Sequence, residues 1–310
     1  MNKGLYRITV YVVAVTAVIA LFASCHYKDF DEVAQRYRTR VIADYSRLDY
    51  DPQYTNLRTI FFPLTAEMDM PYLLDVRDTA VVRLPDGAYS VVAFSNEGTH
   101  ETYSFDGWNW SSLFISAVHA NGDGLPDSLR NVYDFPDRVC SYDTTGVDVL
   151  PDEVNTGWAV NDIYLYPQEI TKQVHVRLYG LKHPDKAEMM RFTLGNLPVS
   201  YDISEDKPVD SLCTMIVRGD RDYSQKSLFY GDMNIFGTGS GRHKVNVLIE
   251  GIGFKVIMTF DVTEQIERQK DKQDIQIELY TDHDLYDDIP SGFNVGVDDW
   301  KNNNIIDVEF

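Results

Sequence analysis

Val174-His175-Val176-Arg177-Leu178-Tyr179 sets apolar residues at alternate positions, with mostly polar ones between them. Successive side chains of a β-strand point to opposite faces, so a period of two fits a strand with one dry side. A helix would scatter the same residues around its axis. Ile275-Gln276-Ile277-Glu278-Leu279 repeats the pattern. Short runs rich in β-branched and aromatic residues recur along the chain, and sustained helical periodicity is scarce. The clearest runs span residues 40–45, 57–64, 80–84, 89–95, 112–118, 162–166, 173–179, 190–194, 212–217, 244–250, 254–262, 275–280 and 305–310. Pro85-Asp86-Gly87 breaks the chain before one strand, and Gly251-Ile252-Gly253 sits inside an expected hairpin. Residues 264–272 are the best helix candidate. Many short strands parted by turn residues predict an all-β chain of sandwich type. The 20 Tyr and 15 Phe suit pleated, half-buried surfaces.

The N-terminus reads as an address. Lys3 and Arg7 form a short basic region, and residues 8–23 are all apolar, Thr or Tyr. That run is shorter than the ~20 residues a membrane-spanning helix needs, so it reads as the core of a secretory signal peptide over residues 1–24. It ends in Leu21-Phe22-Ala23-Ser24-Cys25, which resembles the lipobox of bacterial lipoproteins, with Phe22 where Leu is commoner. The chemistry needs a thiol at the new N-terminus, so Cys25 is the expected lipidation site. An ordinary signal peptide followed by a chance Cys is the alternative. The acidic cluster Asp29-Phe30-Asp31-Glu32 resembles the surface-export signal of Bacteroidetes lipoproteins, or else is a solvated linker. Residues 25–38 are expected to be an acidic tether.

At ~150 residues per domain, 310 residues suggest two domains. Residues 120–157 are rich in Asp, Gly, Pro and Asn and poor in strand pattern. The expected division is therefore 39–155 and 156–310, each large enough for its own core. The net charge is −20, and loss of Lys3 and Arg7 with the signal peptide leaves −22. A chain this acidic repels phosphate backbones, which excludes nucleic acid as a partner.

Pro85-Asp86-Gly87-Ala88-Tyr89-Ser90-Val91-Val92-Ala93-Phe94 resembles the "P-x-G-x-Y-x-hydrophobic" strand of the fimbrillin-type lipoproteins of Bacteroidetes. Val174-His175-Val176-Arg177-Leu178-Tyr179-Gly180-Leu181, with Phe192-Thr193-Leu194-Gly195-Asn196-Leu197-Pro198 after it, is similar to the opening of their C-terminal domain. Phe293-Asn294-Val295-Gly296-Val297-Asp298-Asp299-Trp300 and the final strand match its ending. The likeness is greatest to the Mfa2/FimB-like fimbrial anchor and accessory subunits. The resemblance implies two tandem transthyretin-like Greek-key sandwiches and a role in fimbriae at the outer membrane. It carries no catalytic residue.

A search for chemistry returns little. The seven histidines (26, 100, 119, 175, 183, 243 and 283) lack zinc spacing and read as exposed strand positions. No nucleophile elbow, phosphate loop or dinucleotide fingerprint occurs, so no enzyme, cofactor or metal is expected. Asn121, Asp123 and Asp127 resemble half of a calcium loop without its bidentate Glu; a plain Asx turn is the other reading. Trp108 and Trp110 would share one face of a strand and could stack a sugar ring, or else pack at a sandwich edge. Cys140 and Cys213 fall on opposite sides of the expected boundary and read as free thiols.

Two functions follow. The first is a surface-exposed, lipid-anchored fimbrial anchor or accessory subunit, joined to other fimbrial subunits by β-strand addition. The second is a surface glycan-binding lipoprotein using Trp108 and Trp110. Arg36, Arg38 and Arg40 form a candidate maturation site just before the first strong strand. Related stalk subunits lose their lipidated segment to a trypsin-like protease there, whereas anchors keep it.

Overall fold

The structure is a computed structural model. It describes residues 39–49, 56–64, 70–95, 103–106, 110, 112–122, 125–149, 161–225, 228–287 and 305–309. In chain order the strands are β1 (Thr39–Ala43), β2 (Leu57–Pro63), β3 (Tyr72–Val76), β4 (Thr79–Val82), β5 (Gly87–Ser95), β6 (Tyr103–Asp106), β7 (Phe114–Ala117), β8 (Tyr133–Asp134), β9 (Cys140–Val149), β10 (Asn161–Leu165) and β11 (Gln168–Glu169). After them come β12 (Lys172–Tyr179), β13 (Ala187–Pro198), β14 (Ser200–Asp202), β15 (Lys207–Pro208), β16 (Leu212–Asp222), β17 (Leu228–Ile235), β18 (Lys244–Gly251), β19 (Phe254–Asp261), β20 (Asp274–Tyr280) and β21 (Ile305–Glu309). One α-helix, α1 (Thr263–Glu267), stands among the described residues. The chain is all-β and sandwich-like, as its alternation predicts.

The largest sheet runs β20-β12-β17-β16-β13-β18-β19-β21. β16 turns its corner: residues up to Gly219 pair with β13, and Asp220 to Asp222 pair with β17. The dry faces of the two limbs then fill one core. Val174, Val176 and Leu178 of β12 and Ile275, Ile277 and Leu279 of β20 join Phe192 and Leu194 of β13 and Val245, Val247 and Ile249 of β18 in it. Each such side chain contributes ~1.5–3 kcal/mol on burial.

A five-stranded sheet, β11-β9-β5-β2-β3, is apolar on both faces. Phe61, Tyr89, Val91 and Ala93 pack with Val41, Ile163 and Leu165 of a small sheet ordered β10-β1-β4. Ile60, Phe62, Val92 and Phe94 belong to the large core instead. This double burial accounts for the unbroken apolar run of β5. Pairing also runs across residue 155: β1 with β10, β9 with β11, β7 with β14 and β8 with β16.

Residues 120–157 correct the sequence reading, for they hold the ten-residue strand β9. Asp143, Thr145, Gly146 and Asp148 hid it. They lie exposed on its open side, while Cys140 and Val149 are buried. Leu125 and Val132 of the same stretch pack on Ile216, Leu248 and Ile257, the outer face of the large sheet. The helix candidate 264–272 is shorter than expected, with turns beyond Glu267.

Candidate functional site

The expected strand addition would use the sheet edges and the segments that cover them. β1 is not an edge. It lies between β10, parallel, and β4, antiparallel, with Val41 opposite both Ile163 and Ala80. Thr39 and Val41 are fully buried. Arg40 points outward and its Nε donates to Asp162 Oδ1 at 2.9 Å. That hydrogen bond holds the Asp162 carboxyl below the usual carboxylate range and raises Arg40. Arg36 and Arg38 lie outside the described residues, as does Cys25.

At the far end of the chain β21 pairs in parallel with β19, from Lys255 opposite Ile305 to Thr259 opposite Glu309. The final strand thus covers what would otherwise be an edge of the large sheet.

The other sequence candidates are only partly in view. Trp110 is half-buried against the large core and meets Phe62 edge-on at 6.0 Å. Trp108 lies outside the described residues. Asn121 and Asp127 are exposed, and Asp127 Oδ1 sits 3.0 Å from Arg130 Nη1. Asp123 lies outside the described residues. Among the described residues no three His, Cys, Asp or Glu side chains group as metal ligands would. Cys140 and Cys213 are both free thiols, and burial pushes Cys213 up to about 12. A cavity of about 260 Å3 lies between residues 125–130 and β18–β19. The charges in its wall are paired with one another, Arg130 with Asp127 and Lys255 with Glu250.

Among the described residues the histidines serve the fold. His175 Nδ1 lies 2.9 Å from Asp232 Oδ1, and His183 Nδ1 lies 2.6 Å from Asp284 Oδ1. His119 stacks on Tyr133. His243 departs from the exposed-strand expectation. It is fully buried, with Nδ1 3.2 Å from Gly195 O and Nε2 3.0 Å from Gly239 O. It joins the bulge of β13, where Asn196 is left-handed at φ 67°, to the loop before β18. Nothing local in the sequence marks such a long-range bridge.

No family model matches the sequence, and no curated protein matches it. Solved structures do match. A candidate adhesin from Bacteroides ovatus superposes with a TM-score of 0.64 at 15% identity, covering 86% of this chain and 98% of that one. A second candidate adhesin from Bacteroides ovatus gives 0.53 at 11% identity, covering 79% and 89%. The fimbrial anchor protein Mfa2 from Porphyromonas gingivalis gives 0.52 at 13% identity, covering 79% and 90%. The chain therefore shares its fold with adhesins and fimbrial proteins of Bacteroidetes, as the sequence resemblance implied. Among the described residues no helix is long and apolar enough to cross a membrane.

Proposed function

We propose that this chain is a lipid-anchored surface subunit of adhesive fimbriae, an anchor or accessory that joins its neighbours by β-strand addition. The observation that carries the anchor reading is the seat of β1. A stalk subunit of this kind must release its first strand to open a groove, and a trypsin-like protease needs an extended substrate. Here the bond after Arg40 lies inside a strand paired on both sides, with its guanidinium bound to Asp162. That geometry favours keeping the N-terminal segment and its lipid. The fold shared with an anchor protein and with candidate adhesins supports the same role. No enzymatic role is proposed.

The reading includes a cleaved signal peptide over residues 1–24, acylation of Cys25, the tether 25–38 and an outer-membrane location. It also includes a division into one sandwich before residue 155 and one after it. The core around Phe61 and Tyr89 is separate from the large one and supports two units, with Ile163 and Leu165 from beyond residue 155 completing the first. The glycan reading draws less support, because Trp110 is engaged with Phe62. N-terminal mapping of protein purified from the cell surface tests the proposal. A chain that begins at acylated Cys25 upholds it. One that begins at Tyr37, Thr39 or Val41 makes the protein a polymerising subunit instead.

A further inference from the structure

Among the described residues the large sheet ends at β20, whose one strand neighbour is β12. An end strand leaves alternate N–H and C=O groups facing outward, and such an edge is a template for another chain. In β20 these groups belong to Asp274, Gln276, Glu278 and Tyr280, and side chains take those of the central two. Gln269 Nε2 donates to Gln276 O at 2.8 Å, and Gln276 N donates to Gln269 Oε1 at 3.1 Å. Gln265 treats Glu278 in the same way: Nε2 to O at 3.0 Å, and N to Oε1 at 2.9 Å. A carboxamide offers a donor and an acceptor side by side, as a peptide group does, so each glutamine closes the two-bond ring of a β-pair.

The spacing fits. Gln265 lies in α1 and Gln269 in the turn that continues it; four residues of a helical turn rise ~6 Å, and two residues of strand span ~6.8 Å. Gln265 and Gln269 therefore lie opposite Glu278 and Gln276, with α1 running against the strand. Gln269 Nε2 also donates to Gln265 O at 3.0 Å, which ties the two together.

We propose that Gln265 and Gln269 seal β20 against a second copy of this chain. An unsealed β20 is self-complementary. Paired antiparallel about Ile277, it sets Gln276 opposite Glu278 of the second copy and Asp274 opposite Tyr280. Both backbone bonds form and no like charges meet across the pair. Ile275, Ile277 and Leu279 are buried on the inner face, so the dry side would continue through the two-fold axis. The seal forbids this contact and leaves strand partners only the other edges. The inference concerns the chain's own edge and holds whether or not the protein builds fimbriae.

The test is the mass in solution of the full chain with Gln265→Ala and Gln269→Ala, by light scattering over a wide concentration range. The seal predicts a dimer of twice 35.5 kDa where the parent chain is monomeric. It further predicts that adding Gln276→Pro restores the monomer, since proline removes an outward N–H and is tolerated at an edge. A double variant that folds and stays monomeric overturns the proposal, as does a dimer that survives Gln276→Pro. If the alanine pair fails to fold, Gln265→Glu with Gln269→Glu keeps the acceptors, loses the donors and is read the same way. Hydrogen exchange of the parent decides independently: amides of Gln276 and Glu278 should exchange at least about tenfold more slowly than free ones. Exchange at the rate of open amides overturns the seal.

Discussion

Arg40 and Asp162 face one another across the parallel pair β1–β10, although 122 residues separate them in the chain. To fit a trypsin-like protease, Arg40 must leave Asp162 and β1 must leave both of its neighbours. Cleavage after Arg40 should therefore follow unfolding of the small sheet rather than protease concentration. Trypsin added to the native chain should yield no product that begins at Val41, while sub-denaturing urea should release it. Asp162→Ala should speed that release several-fold, because one of the restraints is gone. A Val41 product formed rapidly from the native chain would contradict the anchor reading.

Cys25 carries the second prediction. If its thiol holds the lipid, Cys25→Ala should move the protein from the membrane fraction to the soluble one. Two signals are usual for stable attachment, and beside the lipid Asp29, Asp31 and Glu32 outweigh Lys28. The shift should therefore be nearly complete. Detergent phase partitioning measures it, and a variant that still partitions with detergent would exclude this lipid site.

Alternation made most of the fold legible, because each sheet has a dry face. It failed where both faces carry polar residues or none. β17, Leu-Phe-Tyr-Gly-Asp-Met-Asn-Ile, is not among the runs the alternation marks, because Gly231 and Asp232 stand at its centre; Gly231 is small because Phe192 and Val217 lie against it. β9 was hidden by its polar outer side. The edge seal was invisible for another reason: Gln265 and Gln269 look like any polar helix residues until α1 is laid against β20. The address at Cys25 rests on sequence alone, for it lies outside the described residues.

Asp232 and Asp143 should move stability in opposite directions with pH. Burial pushes Asp232 up, but hydrogen bonds from Arg177 and His175 outweigh it, and its carboxyl sits below the usual range. The folded state then holds fewer protons than the unfolded one near the ordinary carboxylate value. The contribution is full above that value and is lost as pH falls through the folded one. Asp143 is exposed as a residue, but partial desolvation of its carboxyl and then the charge of Asp206 raise it, so it costs stability at neutral pH and the cost disappears on acidification. Asp232→Asn should lower the urea midpoint at pH 7, by about 0.5–1 kcal/mol as for other exposed pairs, and by less as the pH falls below the ordinary carboxylate value. Asp143→Asn should raise the midpoint at pH 7 and leave it unchanged at pH 3. Opposite signs would refute these environments.

Phe192 is fully buried between the two limbs of the large sheet, and two glycines make room for its ring. A Cβ at Gly219 of β16 would lie 2.8 Å from Phe192 Cε2. A Cβ at Gly231 of β17 would lie 2.8 Å from its Cδ2 and 3.0 Å from Val217 Cγ1. Neither glycine has the positive φ that would itself demand glycine, so the space is the reason for both. Gly231→Ala must displace the ring or Val217, and overpacking of this kind costs ~1–3 kcal/mol. Phe192→Ala empties the same space and costs ~3–5 kcal/mol. In the Phe192→Leu background the alanine at 231 has room, so its cost should fall below that in the parent chain. A double-mutant cycle by urea unfolding measures this coupling. Equal costs of Gly231→Ala in both backgrounds would mean that the ring does not set the need for glycine.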